Sequence, residues 1–87
     1  MRIVLSRNFE KDFKKLRPAE KQKFKERRNL FLKKPFDPIL NNHPLKGKYK
    51  GYRSINIAGD LRVIFRMIEA ETAIFIAINT HDRLYNL

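Results

Sequence analysis

The spacing of apolar side chains changes in the middle of this chain from a helical repeat to a strand alternation, and this change restricts the fold more than any other feature. Phe9, Phe13 and Leu16 lie at positions i, i+4 and i+7, as on one face of a helix. From Tyr49 onward, alternating or continuous apolar runs are separated by short turns, which is typical of strands. Because the helical part precedes these strands instead of alternating with them, we expect an α+β fold.

Capping residues and prolines set the expected bounds of two helices. Ser6 or Asn8 can cap the first helix, and Pro18 ends it while favouring the first turn of the next. The second helix is predicted from Pro18 to about Lys33, because Pro35 pushes the residue before it out of helical geometry. Each helix offers one narrow apolar face, so we predict an antiparallel helical hairpin that packs on another layer.

That other layer is predicted to be an antiparallel sheet. A short strand over Met1–Leu5 opens the chain. Three more strands are expected over Tyr49–Ile57, Leu61–Met67 and Ala73–Ile78, with tight turns between them. Short connections imply an antiparallel meander, and the nearly all-apolar last run predicts a central strand covered on both faces.

The chain has 87 residues and no cysteine, which limits both its size class and its chemistry. We expect residues 1–87 to form a single domain without disulfides or thiolate metal sites. The opening residues lack the roughly 7–15 apolar residues of a signal-peptide core, and no run approaches the ~20 apolar residues of a membrane span. The sequence therefore predicts a cytoplasmic protein without a membrane partner.

The positive charge of the chain points to a polyanionic or acidic partner. The net charge is +11, and residues 1–35 contain 13 Lys/Arg against 4 Asp/Glu, a local sum of +9. Such a field attracts nucleic acid and makes binding fall steeply with salt, although it would attract an acidic protein equally. A solvated helical surface is the alternative that requires no partner.

Two segments contain both histidines of the chain together with most of the cations of its second half. They are HPLKGKYKGYRSINIAGDLRVIFR, residues 43–66, and THDRLY, residues 80–85. Histidine changes protonation near neutral pH, and beside fixed cations and aromatic rings it is suited to cleave or bind a phosphodiester. RNA is therefore the expected target.

Strand alternation predicts which of these side chains share a face of the sheet. The apolar Ile55 and Ile57 are expected to face the helices, which places Asn56 on the opposite side. The same rule places Arg62 and Arg66 of the next strand on the side of Asn56. One face is thus predicted to be core, and the other a basic, hydrogen-bonding groove.

Short motifs in these segments resemble the RelE/ParE toxin superfamily, and most closely its YafQ branch. They are His43-Pro44-Leu45, Gly51-Tyr52-Arg53, Gly59-Asp60-Leu61-Arg62-Val63-Ile64-Phe65 and Thr80-His81-x-x-Leu84-Tyr85. The likeness spans essentially the whole chain. It implies the RelE-like microbial RNase toxin fold and a ribosome-dependent endoribonuclease, an mRNA interferase that cuts in the decoding site without a metal or other cofactor. It also implies a cognate small antitoxin as a partner, besides the ribosome and mRNA.

The resemblance also implies roles for individual residues. His43, Asp60 and His81 occupy positions that carry catalytic residues in the YafQ branch. Tyr85 replaces an aromatic residue of that branch, and Arg62 matches the arginine that RelE proper uses on the scissile phosphate. His81 is expected to be the general acid or base, and the choice of base between His43 and Asp60 stays open. The residues expected to contact RNA are Lys46, Lys48, Lys50, Arg53, Asn56 and Arg66.

Other functions and structural roles fit the same residues. A ParE-like inhibitor of DNA gyrase is one alternative, and a basic nucleic-acid-binding module without catalysis is another. Asp60 is common in tight turns for local reasons, His81 can cap a terminal turn, and Tyr85 can close the core. Asn56 and Leu61 stand where the YafQ branch has a histidine and a tryptophan, which predicts weaker activity or redistributed roles.

Overall fold

A computed structural model describes residues 1–85, in which a five-stranded sheet carries a helical hairpin on one face. The strands are β1 (Arg2–Leu5), β2 (His43–Pro44), β3 (Arg53–Ala58), β4 (Leu61–Glu69) and β5 (Thr72–Thr80). The helices are α1 (Arg7–Lys14), α2 (Pro18–Lys33) and α3 (His81–Tyr85), and short 3-10 turns span Pro38–Leu40 and Gly47–Tyr49. The predicted α+β class is confirmed. None of the described helices has the length and apolar content needed to cross a membrane.

Local capping explains where the hairpin helices begin. Ser6 Oγ accepts a hydrogen bond from Phe9 N at 3.0 Å, so Ser6 caps α1. At the start of α2, Glu20 accepts from Arg17 N at 2.9 Å and from the Arg17 guanidinium at 3.4 Å. These two bonds, the backbone one first, hold the pKa of the Glu20 carboxyl below its ordinary value. The predicted bounds of α2, Pro18 to Lys33, are confirmed.

The strand order is β1-β5-β4-β3-β2. The meander of β3, β4 and β5 is antiparallel as predicted, and β5 lies inside the sheet between β1 and β4. However, β1 pairs parallel to β5, with Arg2 opposite Thr72, so the sheet is mixed. The predicted strand start at Tyr49 was wrong: β3 begins at Arg53, because the preceding residues form a 3-10 turn and Gly51 has φ +92°.

A β-bulge at Ile76 changes which side chains of β5 face the helices. The pairing of β5 with β4 shifts by one residue at this point, so Ile76 is the extra residue. Phe75 before the bulge and Ile78 after it both lie in the core under the helices, although their spacing in the sequence is odd. The Ile76 carbonyl accepts bonds from Ser6 Oγ at 3.1 Å and Asn8 Nδ2 at 2.9 Å, both at the start of α1. The first helix therefore holds the bulge in place.

Two hydrophobic clusters cover opposite faces of the sheet. The main core lies under α1 and α2 and contains Ile55, Ile57, Val63 and Phe65, as alternation predicted. The smaller cluster lies on the other face, where Leu84 of α3 is buried against Ile64 and Ala77 of the sheet. We call this second face the groove face, and it carries the side chains of Ser54, Asn56, Arg62 and Ile64. Because β5 contributes to both clusters, its predicted burial on two faces is confirmed.

Candidate active site

Strand pairing sets the rows of side chains on the groove face. His43 pairs with Ser54 across β2 and β3, and Ser54 pairs with Ile64 of β4. Asn56 pairs with Arg62 in the next row. His43 is thus one row and two strands from Arg62, which corresponds to a separation of about 12 Å between their Cα atoms. The two residues lie on either side of a surface wide enough for a ribose-phosphate unit.

The ring of His43 is oriented by a backbone carbonyl. Nδ1 lies 2.7 Å from Asn41 O. A carbonyl oxygen only accepts hydrogen bonds, so Nδ1 must donate, and in the neutral ring Nε2 then keeps its lone pair. Asn41 presents this carbonyl from a left-handed conformation with φ 47°, which asparagine tolerates better than most residues. The structure therefore sets His43 up as a hydrogen-bond acceptor or proton acceptor at Nε2.

The turn between β3 and β4 carries Asp60 and is fastened by Arg62. Nη1 of Arg62 donates to Gly59 O at 2.7 Å and to Leu61 O at 3.3 Å. The carboxylate of Asp60 is exposed, and within residues 1–85 it forms no ion pair with Arg62. Arg62 therefore uses one nitrogen of its guanidinium on the turn.

His81 reaches this turn through its backbone. His81 N donates to Asp60 O at 2.8 Å, which joins the start of α3 to the turn. The imidazole remains 58% exposed, with Nδ1 3.9 Å from the carboxylate of Asp82. Its ring centroid lies 4.6 Å from that of Tyr85, four residues later on α3. Asp60 and His81, which are 21 positions apart in the sequence, are therefore brought together at one end of the groove face.

Aromatic side chains connect α3 to the loop before β3. Tyr85 meets Tyr49 edge to face, with centroids 5.7 Å apart and an interplanar angle of 90°. Tyr49 Oη donates to Leu84 O at 3.1 Å, and the ring of Tyr49 also contacts Tyr52 at 6.4 Å. Tyr85 is half-buried against the smaller cluster, in agreement with the structural alternative for this residue, and its ring also contacts His81.

Cations border the groove face on the side of this loop. Lys46, Lys48 and Lys50 lie in or beside the 3-10 turn Gly47–Tyr49, and all three are exposed. The guanidinium of Arg66 lies 5.9 Å from the ring centroid of Tyr52. The RNA contact expected of these four cations stays a prediction.

Arg53, in contrast, does not lie on the groove face. It shares the helix-side face of β3 with Ile55, as the alternation rule requires, and its Nε donates to Asn42 Oδ1 at 2.7 Å. Its guanidinium packs 5.4 Å from the ring centroid of Phe36. The RNA contact expected of Arg53 stays a prediction, and its position on the face opposite Asn56 argues against it. These contacts with Asn42 and Phe36 give Arg53 a structural role, because they hold the linker after α2 against β3.

Two oxygen atoms on the groove face have no hydrogen-bond partner among residues 1–85. They are Ser54 Oγ, in a residue only 1% exposed, and Asn56 Oδ1, in a half-buried residue. An unpaired buried polar atom costs free energy, so both are groups that would gain from a ligand or an ordered water. In the same part of the chain, no three His, Asp or Glu side chains cluster as a metal site would require.

Sequence reasoning missed two residues that shape this site. Asn41 orients His43 through its carbonyl, and the only signal for it was the Asn41-Asn42 pair in a proline-rich linker. Tyr49 was predicted to start a strand. An aromatic residue between two glycines, Gly47 and Gly51, is a sequence pattern that could have indicated a packed loop. Both act through contacts that alternation cannot predict.

The fold and this arrangement place the chain in a class of small α+β toxins. It is similar to the crystal structure of YafQ from E. coli strain BL21(DE3), with a TM-score of 0.80, 27% identity, and coverage of 98% of this chain and 99% of that one. The E. coli DinJ-YafQ toxin-antitoxin complex gives a TM-score of 0.77, 28% identity, and coverage of 95% and 94%. The toxin-antitoxin complex RelBE2 from Mycobacterium tuberculosis shares the fold at a TM-score of 0.75 and 18% identity, covering 92% of this chain and 96% of that one.

A family model gives the particular assignment within this class. The model for YafQ, the bacterial toxin of type II toxin-antitoxin systems, matches residues 1–86. The chain therefore belongs to the YafQ family of type II toxins, which confirms the resemblance found in its motifs. A comparison with curated proteins finds no significant match.

Proposed function

We propose that this chain is a ribosome-dependent endoribonuclease, an mRNA interferase that cuts the message in the decoding site. The observation that carries the proposal is the 2.8 Å hydrogen bond from His81 N to Asp60 O, because it brings the second histidine to the turn that Arg62 fastens. A titratable ring, a carboxylate and a cation then border one open face of the sheet. These are the groups that acid–base cleavage of a phosphodiester needs.

In the proposed reaction, the 2′-hydroxyl of one nucleotide attacks the adjacent phosphorus. The 2′-O–P bond forms and the P–O5′ bond breaks, which leaves a 2′,3′-cyclic phosphate and a free 5′-hydroxyl. A base removes the proton of the 2′-hydroxyl, an acid protonates the leaving 5′ oxygen, and a cation stabilises the additional negative charge on the phosphorane. Side chains of this chain can fill all three roles, so we propose a reaction without a metal or other cofactor.

The geometry favours a division of roles between the histidines. His43 is the base, because its Nδ1 donates to Asn41 O and Nε2 is left to accept the proton. His81 is the general acid on the far side of the phosphate. Its backbone N–H is bonded to Asp60 O, and the carboxylate of Asp82 lies 3.9 Å from its Nδ1, where it can stabilise the protonated ring. Arg62 supplies the cation, and its bond to Gly59 O fixes the direction of the guanidinium.

Binding of the message is assigned to the remaining groups on the groove face. Tyr85 offers a ring on which a base can stack, as aromatic side chains do for single strands. Asn56 Oδ1 has no partner within residues 1–85, which suits it to a base or ribose. The exposed Lys46, Lys48 and Lys50, with Arg66, contact phosphates collectively, so each of them is individually replaceable.

The proposed partners follow from the family and from charge. The E. coli relative has been crystallised with its antitoxin, so we propose a cognate small antitoxin for this chain as well. An acidic or amphipathic antitoxin segment complements the net charge of +11. The ribosome and mRNA are the proposed targets, and the cytoplasm is therefore the proposed place of action.

Purified toxin added to ribosomes that carry a labelled message tests the proposal. We expect cleavage in the decoding site, and a loss of about 10²–10⁴-fold in His81→Ala. Arg83→Ala is the control, because Arg83 is exposed on the same short helix and carries a similar charge but has no assigned role. An intact message with inhibited gyrase supercoiling would support the ParE-like alternative, and salt-sensitive RNA binding without cleavage would support the binding module.

A further inference from the structure

The helix that carries His81 is too short to be stable through its own backbone bonds. Within residues 1–85, helix α3 has five residues. It therefore closes only about one or two internal hydrogen bonds there, and helix nucleation costs more than so few bonds return. Three attachments hold it on the sheet: the bond from His81 N to Asp60 O, the burial of Leu84, and a bond to its carboxyl end. The third attachment is made by Tyr49.

Tyr49 acts on α3 in two ways at once. Its hydroxyl donates to Leu84 O at 3.1 Å and so satisfies one of the carbonyls that a helix leaves unpaired at its carboxyl end. Its ring packs at 90° against Tyr85, with the centroids 5.7 Å apart. Tyr85 in turn lies 4.6 Å from the ring of His81. Contacts therefore run without a gap from the 3-10 turn Gly47–Tyr49 to the imidazole.

The ring of Tyr49 is itself held from the other side. It contacts Tyr52 in a T-shaped arrangement at 6.4 Å, and Tyr52 immediately precedes the first residue of strand β3. It also packs against the smaller cluster around Ile64. Edge-to-face aromatic pairs have preferred orientations, so a ring fixed by Tyr52 restricts the orientation of Tyr85.

We propose that Tyr49 is a positioning residue that sets the orientation of His81 through Leu84 and Tyr85, and that it does not contact the RNA itself. The catalytic consequence rests on the proposed function, whereas the structural consequence does not. Removal of the hydroxyl should loosen α3, and the imidazole of His81 should then sample orientations that do not reach the leaving 5′ oxygen. The rate of the chemical step should fall while RNA binding stays nearly the same.

Two variants and one control separate the parts of this proposal. Tyr49→Phe keeps the ring and removes only the hydroxyl, and Tyr49→Leu removes the aromatic contact as well. Tyr52→Phe is the control, because within residues 1–85 its hydroxyl makes no hydrogen bond to α3. The measurements are the NMR shifts of the His81 ring protons, amide exchange in α3, and the kcat and KM of message cleavage.

We expect Tyr49→Phe to speed amide exchange in α3 about fivefold, as the loss of one hydrogen bond predicts. The ring-current shift of the His81 protons should shrink, kcat should fall about fivefold, and KM should stay within about twofold. Tyr49→Leu should enlarge each effect, and the control should show none. Since Tyr49→Phe is nearly isosteric, it keeps the test informative if Tyr49→Leu does not fold.

Unchanged His81 shifts and unchanged exchange in Tyr49→Phe would overturn the proposal. A fall in kcat without any change in the His81 shifts would overturn it as well, because Tyr49 would then act on the RNA directly. If the wild-type protein cleaves no message, the proposed function fails, yet the NMR and exchange measurements still decide whether Tyr49 positions His81.

Discussion

Replacement of Arg62 by alanine should separate a catalytic contribution from a structural one. Arg62 lies on the groove face, paired with Asn56, and its Nη1 donates to Gly59 O at 2.7 Å and Leu61 O at 3.3 Å. These bonds fasten the turn that carries Asp60. Arg62→Ala therefore removes both a turn contact and the cation proposed to stabilise the phosphorane.

The two contributions differ in size. Loss of a largely exposed bond to the turn should lower the free energy of unfolding by about 1 kcal/mol, or the melting temperature by roughly 4–8 °C. Against a total stability of about 5–15 kcal/mol, such a loss leaves nearly all molecules folded. Loss of a preorganised cation at the developing charge costs about 10²–10³-fold in the rate of cleavage. Unfolding is thus too small an effect to account for the expected loss of activity.

Single-turnover cleavage of a labelled message on ribosomes, together with urea unfolding, measures both quantities. Arg66→Ala is the matched control, because Arg66 lies four residues further along β4 on the same face, beside Tyr52. Its loss should raise KM a few-fold and leave the chemical step nearly unchanged. The reasoning about Arg62 is refuted if cleavage falls by less than about tenfold, or if both variants slow the chemical step equally.

Two further predictions concern stability. Arg53→Ala should lower the free energy of unfolding by about 1–2 kcal/mol, because Arg53 Nε donates to Asn42 Oδ1 at 2.7 Å. The same substitution should leave cleavage by the folded protein unchanged. A large loss of cleavage at normal stability would place Arg53 in the RNA site. Glu20→Gln should lower the melting temperature at neutral pH, and this difference should shrink as the pH falls. The bonds from Arg17 lower the pKa of Glu20 in the folded state, so the stabilisation is present above the unfolded-state pKa and is lost as the pH falls through the folded-state pKa. A difference that does not change in a pH series of thermal melts would contradict the second prediction.

The elements that local signals control were predictable from the sequence. The second helix begins and ends where Pro18 and Pro35 require, and Ser6 caps the first. The alternation of side chains along a strand also correctly predicted that Ile55 and Ile57 lie in the core. In each case a residue and its near neighbours in the chain are sufficient to decide the backbone conformation.

Pairings between distant residues were not predictable in this way. Nothing in Arg2–Leu5 indicates that this strand pairs parallel to β5, about 70 positions away, because a strand of four residues carries no information about its partner. The strand β2 is only two residues long and forms because His43 pairs with Ser54. Its existence depends on tertiary contacts and not on propensity.

In the candidate site, too, individual residues were predictable from the sequence, whereas the contacts between them were not. Motifs identified His43, Asp60, Arg62 and His81, and the structure brings the last three to one end of the groove face. The hydrogen bond that does so joins two backbone groups, so no side chain reveals it. The contact of Tyr49 with Leu84 likewise spans 35 positions. Contacts of this kind arise from packing, which a single sequence does not record.

The bulge at Ile76 makes the length of β5 as important as its composition. An extra residue at this point is what lets both Phe75 and Ile78 face the helices, with α3 leaving the end of the strand on the groove face. Deletion of Ile76 alone would remove the bulge and leave Phe75 and Ile78 two positions apart, so regular alternation would keep both facing the helices. Deletion of two residues would turn every later side chain to the opposite face and send His81 away from Asp60. The side of the sheet on which α3 leaves β5 therefore depends on how many residues follow Phe75, as well as on which residues they are.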